Sequence, residues 1–194
     1  MSLEEFLACV RSVNALDLAF ECLHRNFVYA IPDETTYRYF LDEVRVDYPL
    51  SDRIAIMGSG NWKFSLNPDK NFSEYHAKSD IDIAIICQAS FEQTWEELRT
   101  YHRKNFYFLS CKEKVQIKRN GENVYSGFVS PKWIPGSGYS SKFKYLINAN
   151  KYSNKVVGYR GVNMMLFKNL DEALDYYVRG FRLAAQKKEM NRGL

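Results

Sequence analysis

The chain has 194 residues, enough for one compact domain, and 46% of them are hydrophobic, which is ample for a packed core. Its net charge of +4 suits a substrate that carries phosphate but is too small to establish nucleic-acid binding by itself. No secretion signal opens the sequence and no apolar run reaches membrane-spanning length, so we expect a soluble cytoplasmic protein with no membrane partner.

Three helices are predicted at the start of the chain, each with a residue suited to cap it. Ser2, Asn14 and Asp33 each precede a stretch with apolar residues at helical spacing. Nothing in this region suggests chemistry. We therefore divide the chain into an N-terminal helical segment, 1–50, and a core with a C-terminal helix, 51–194, both within one compact domain.

The first candidate site follows a predicted strand at 53–57, which runs directly into Gly58-Ser59-Gly60. Glycine allows a tight turn and a close approach of the backbone to a ligand. Successive backbone N–H groups with a serine hydroxyl suit a phosphate group. This turn is therefore a candidate phosphate-binding site.

The second candidate site is a pair of acids, Asp80 and Asp82, in an apolar run that predicts a strand over 80–87. Side chains alternate along a strand, so the two carboxylates share one face. Two like charges on one face repel each other, and buried charges are costly unless they are paired. A hard cation such as Mg²⁺, brought in with substrate phosphates, would satisfy both.

A strand that ends in Gly58-Ser59, followed by Ser79-Asp80-Ile81-Asp82 at the head of the next strand, resembles the nucleotidyltransferases of the DNA polymerase beta superfamily. The resemblance covers roughly residues 54 to 86 and extends weakly to about residue 129. It implies transfer of a nucleoside monophosphate from a nucleoside triphosphate to an acceptor hydroxyl, with release of pyrophosphate.

The resemblance also assigns roles to residues. It implies that Asp80 and Asp82 are catalytic and hold Mg²⁺, or alternatively Mn²⁺. Nucleotide binding would fall to the glycine turn together with Ser79. The acceptor stays open among RNA, a protein and a small molecule, and a protein partner is compatible with the family.

Two departures from the family pattern affect this interpretation. The link 61–79 is longer than usual and predicts either a mobile lid or substrate loop, or a surface insertion. The family's third carboxylate belongs on a later strand beside the acid strand, and the expected equivalent at 113–118 offers only an amide, Gln116, with Glu113 at its entrance. Without a third acid, two-metal chemistry is in doubt.

The rest of the chain predicts an α+β fold, with a mixed, twisted β-sheet and packed helices. We expect a helix capped by Ser90, strands at 105–110 and 114–119, a hairpin turn at Asn120-Gly121 and a returning strand at 123–129. Asn169 is expected to cap the last helix. The segment 139–167 has no clear assignment.

Two alternatives to the enzyme stay open. The chain is then either a catalytically degenerate nucleotide-binding or regulatory module, or a nucleic-acid-binding protein that uses the lysines and aromatic residues of 139–167.

Overall fold

The structure of the protein is a computed structural model, and it describes residues 1–136 and 138–190. The end of the predicted core segment, 191–194, lies outside the described residues. The fold is α+β with a mixed sheet, as the sequence predicts. The strands of the described chain are β1 (Arg53–Met57), β2 (Ile81–Ile86), β3 (Phe128–Val129) and β4 (Val162–Phe167).

The strands lie in the order β1-β2-β4-β3. The central strand β2 pairs antiparallel with β1 and parallel with β4, and β3 pairs antiparallel with β4 at the edge. The α-helices of the described residues are α1 (Leu3–Ser12), α2 (Ala15–His24), α3 (Glu34–Asp47), α4 (Ser59–Trp62), α5 (Gln88–Asn105), α6 (Cys111–Tyr125), α7 (Ser140–Tyr152) and α8 (Leu170–Met190).

Side-chain caps explain where the first three helices begin. Ser2 and Glu5 form a reciprocal capping box at α1, Asn14 accepts from the Leu16 N–H at 2.8 Å, and Asp33 accepts from the Thr36 N–H at 2.7 Å. The three predicted N-terminal helices are therefore confirmed. None of the helices in the described ranges is both long and apolar enough to cross a membrane.

The sheet separates two apolar cores because its side chains alternate between faces. Helices α3 and α7 contribute to the core on one face, and helices α1, α2 and α8 to the core on the other. The first face carries the isoleucines Ile54, Ile56, Ile81, Ile83 and Ile85. The opposite face carries Ala55, Met57, Ala84 and Ile86. Asp82 shares this second face, since it alternates with the isoleucines along β2.

The predictions for 105–129 are mostly wrong. Residues 111–125 form one helix, α6, instead of a strand and a hairpin, and only Phe128–Val129 is a strand. Ser110 and Glu113 start the helix with a capping box. Asn120 lies inside the helix, where its buried side chain binds Ser130.

Two further predictions need correction or completion. Helix α5 begins at Gln88, so Ser90 lies within its first turn and does not cap it. The unassigned segment 139–167 contains α7 and the central strand β4, which supplies part of the candidate site. The cap of the last helix is confirmed, because Asn169 accepts from the Glu172 N–H at 2.9 Å.

Candidate functional site

The two predicted acids meet at one amide group at the start of β2. Asn163 on the parallel neighbour β4 pairs in register with Asp82. Its Nδ2 donates to Asp82 Oδ1 at 3.1 Å and to Asp80 Oδ2 at 3.3 Å. The two carboxylates therefore converge from one strand onto a single nitrogen on the next.

The glycine turn after β1 lies directly against this pair. Gly58 has φ 65°, in the left-handed region that favours glycine, and a Cβ built there would lie 3.2 Å from Asp82 Oδ2. The backbone can approach the carboxylate this closely only because Gly58 has no side chain. Ser59 and Gly60 follow as the first residues of the single-turn helix α4.

A buried asparagine fixes the turn in place. Asn61 is 2% exposed, and its Nδ2 donates to the carbonyls of Ile56 and Cys22, both at 2.8 Å. These bonds tie α4 to β1 and to α2, so the turn is anchored on both sides. Sequence analysis missed this role, because Asn61 stands at the head of a segment that looks like a polar insertion.

A second glycine lies close to the other acid. A Cβ on Gly161, just before β4, would lie 2.8 Å from Asp80 Oδ1, a contact too short for any side chain. The Gly161 carbonyl also accepts from the Ile81 N–H at 2.8 Å. Each acid therefore has one carboxylate oxygen packed against a glycine, in the space that a Cβ would otherwise fill.

One lysine is linked to the acid pair through Asn163. Lys132 Nζ donates to Asn163 Oδ1 at 2.8 Å, which leaves the amide nitrogen of Asn163 to face the acids. Lys142 Nζ donates in turn to the Lys132 carbonyl. Burial raises the pKa of Asp82, the charge of Asp80 raises it further, and the Asn163 hydrogen bond and the charges of Lys70 and Lys132 oppose that shift.

Ser79, predicted to bind nucleotide, has its hydroxyl in a local turn. Its Oγ accepts from the His76 N–H at 3.0 Å, and its own N–H donates to the His76 carbonyl at 2.9 Å. These bonds close the turn that leads into β2 and place Asp80 at the strand's entrance. Nucleotide binding by Ser79 stays a prediction.

The long link 61–79 is partly core. Trp62 and Phe64 are 4% exposed and pack in the core that contains α8. Phe64 and Glu74 form an isolated antiparallel bridge, and Lys63 pairs with Glu74 at 3.1 Å. Neither a lid nor a surface insertion describes the beginning of this segment.

The predicted third position is wrong. Gln116 and Glu113 lie on α6 instead of on a strand beside the acids. Glu113 accepts from Ser110 and from the Tyr101 hydroxyl, and these hydrogen bonds lower its pKa to about 2.

The residue beside the acid strand is Asn163, so the position is again an amide. In residues 1–136 and 138–190 no group of three or more His, Cys, Asp or Glu is placed to hold a metal.

The basic stretch proposed as a nucleic-acid contact is largely occupied. On α7, Lys144 Nζ donates to the Asp47 carbonyl and Lys151 Nζ lies 2.7 Å from Asp47 Oδ2. Lys142 is held by the Lys132 carbonyl. These contacts give the lysines structural partners and remove the observation that favoured this alternative.

The donor set suits a hard divalent cation. Mg²⁺ and Mn²⁺ prefer carboxylate oxygen, and Asp80 and Asp82 bring two such oxygens together at the Asn163 amide nitrogen, with Gly58 against Asp82. The raised pKa of Asp82 indicates that its negative charge is poorly compensated by the protein. Asn163 presents its N–H₂ in the observed orientation and so acts as a donor.

No protein-family model, curated protein or solved structure matches the chain. The features that bear on function are therefore the acid pair, the glycine turn and Lys132.

Proposed function

We propose that the protein is a nucleotidyltransferase that moves a nucleoside monophosphate from a nucleoside triphosphate to an acceptor hydroxyl. The single observation that carries the proposal is the convergence of Asp80 and Asp82 on the Asn163 amide nitrogen, with the turn at Gly58 against Asp82. A triphosphate in this place would meet two carboxylates, a close-lying backbone and nearby lysines.

Asp80 and Asp82 would hold Mg²⁺ or Mn²⁺, which when bound neutralises charge on the triphosphate and the departing pyrophosphate. The turn at Gly58 lets the backbone approach the terminal phosphates, with the Ser59 hydroxyl beside them. The oxygen of the acceptor hydroxyl forms a bond to the α-phosphorus as the bond to pyrophosphate breaks, and the hydroxyl proton passes to water. Positioning and charge neutralisation are the protein's contribution.

A second candidate is a nucleotide-binding module that does not transfer. Asn163 and Lys132 favour it, because an amide cannot take up the acceptor's proton and a lysine already supplies positive charge beside it. Calorimetry with ATP and GTP, with and without Mg²⁺, combined with a pyrophosphate-release assay, separates the two. Binding without release would identify the module.

The transfer proposal is tested with each α-labelled nucleoside triphosphate and Mg²⁺ or Mn²⁺, with products resolved as self-products and modified macromolecules. Asp80→Asn and Asp82→Asn keep the side-chain shape, and each is expected to abolish transfer. Asp52→Asn is the matched control, since Asp52 is exposed and lies opposite the far end of β2, where its N–H binds the Ile86 carbonyl. Full turnover in either site variant would overturn the assignment.

A further inference from the structure

Three consecutive aromatic residues project from the connection between α5 and α6. Phe106, Tyr107 and Phe108 are 53%, 88% and 86% exposed. Phe106 and Tyr107 pack edge to face, with ring centroids 5.1 Å apart, which holds the two rings at right angles to each other. Exposed aromatic surface of this extent is unfavourable in water and marks an interaction site.

The same connection and the helix ends on either side of it concentrate the positive charge of the chain. Residues 102–119 contain six Lys and Arg against one Glu, a net charge of +5, whereas the whole chain carries +4. The single acid, Glu113, is occupied by Ser110 and Tyr101. Arg103, Lys104, Lys112 and Lys114, on either side of the aromatic residues, are all exposed.

A groove lies between residues of α6 and α7. It has a volume of about 350 Å³, and its lining includes Lys112, Glu113 and Gln116 of α6 and Lys142 of α7. Lys142 Nζ donates to the Lys132 carbonyl, and Glu113 is held by Ser110 and Tyr101. The groove therefore adds one lysine of α7 to the cations of this surface.

We propose that this surface, the aromatic tip 106–108 with Arg103, Lys104, Lys112 and Lys114, binds single-stranded nucleic acid. Bases stack on the aromatic rings and phosphates meet the lysines and arginine. Lys112 and Lys142 in the groove, behind the tip, suit a chain-like polyanion, whereas a flat membrane would contact the tip alone. This binding is independent of the transfer chemistry proposed above.

The test is fluorescence anisotropy of the full chain with a labelled single-stranded oligonucleotide at low and moderate salt. The double variant Tyr107→Ala/Phe108→Ala is expected to bind at least about tenfold more weakly, since stacking on each aromatic ring contributes strongly. Tyr125→Ala is the matched control, because Tyr125 is 92% exposed at the other end of α6 and should leave affinity unchanged.

Charge is tested separately. Arg103→Ala should weaken binding and reduce its salt dependence, whereas Arg38→Ala, at an exposed position on α3, should do neither. Binding is measured without Mg²⁺ or a nucleoside triphosphate, so failure of the transfer proposal leaves this test intact.

Three results would overturn the proposal. The first is oligonucleotide binding that the tip variant does not weaken. The second is equal affinity for the duplex form, in which bases are not free to stack. The third is no oligonucleotide binding alongside tip-dependent binding to vesicles of phosphatidylcholine and phosphatidylserine, which would assign the surface to membranes.

Discussion

Asn163 faces Asp82 across two parallel strands, and its amide nitrogen lies 3.1 Å from the carboxylate. The polymerase beta resemblance implies a third acid on the strand beside the acid strand, and the chain has an amide there. Lys132 binds the other end of that amide at 2.8 Å. Asn163 thus leaves this position uncharged, although its side chain is about as large as that of an aspartate.

Asn163→Asp is expected to raise Mg²⁺ affinity about tenfold, because it adds a third carboxylate where the two acids converge. Without Mg²⁺ it should lower thermal stability, since it replaces a donor shared by two carboxylates with a third negative charge. Thermal unfolding over a Mg²⁺ titration measures both effects. Asn163→Ala is the control, and it should lose stability without gaining Mg²⁺ affinity. Equal Mg²⁺ affinity in the Asn163→Asp and Asn163→Ala variants would contradict the prediction.

Asp82 should make the stability of the metal-free protein fall with rising pH. Burial raises the pKa of this carboxyl in the folded state, so the folded chain keeps a proton that the unfolded chain has already lost. The stabilising effect is complete below the ordinary aspartate pKa and disappears as pH rises through the folded-state value. Urea unfolding from acidic to neutral pH should show this slope, and Asp82→Asn should flatten it.

Mg²⁺ binding gives a control for the pH dependence of stability that we attribute to Asp82. Because the cation competes with the proton for the carboxylate, its stabilising effect should be larger at neutral pH than at acidic pH. An Asp82→Asn variant with the same pH slope as the unchanged chain would assign the dependence to another group.

The parts of the site that the sequence predicts are those built from neighbouring residues. The acid pair, the strand before Gly58 and the helix caps depend on spacings of a few residues, and alternation or capping patterns identify them directly. Asn163 and Lys132 lie far along the chain from Asp82 and reach it only through pairing of β2 with β4. No local pattern encodes that pairing.

The error at α6 has a different origin. The sequence around Asn120-Gly121 has the turn pair typical of a hairpin, and its short alternating stretch at 114–119 imitates a strand. The helix forms because Ser110 and Glu113 cap its N-terminus. The Asn120 side chain also hydrogen-bonds both the N–H and the C=O of Ser130. That last contact is tertiary, so it cannot be read from the local sequence.

Gly58→Ala is expected to destabilise the fold by about 1–2 kcal/mol, because the residue has φ 65° and L side chains disfavour that region. The added Cβ would also press on Asp82 Oδ2, so Mg²⁺ should stabilise the variant less than the unchanged chain. Urea unfolding with and without Mg²⁺ measures both effects.

Gly158→Ala is the matched control for Gly58. Its φ is also positive, at 63°, but its ψ of 36° lies in the ordinary left-handed region, so alanine is less strained there than at Gly58, where ψ is −155°. Its Cβ would meet the Arg160 side chain instead of an acid. It should lose stability and keep the full Mg²⁺ effect. If the two variants respond alike to Mg²⁺, the turn at Gly58 is not part of a metal site.

Neighbouring substitutions at Asn120 and Gly121 distinguish the helix from a hairpin. Asn120→Ala should destabilise the protein by about 2–4 kcal/mol, because it leaves the buried N–H and C=O of Ser130 without their partner. Gly121→Ala should stabilise it by about 0.5–1 kcal/mol, since Gly121 lies within α6 and a Cβ there meets nothing within 4 Å. A hairpin turn would give the opposite sign at Gly121, because its glycine needs positive φ. Urea unfolding midpoints of the two variants decide between these structures, and a destabilised Gly121→Ala would contradict the helix.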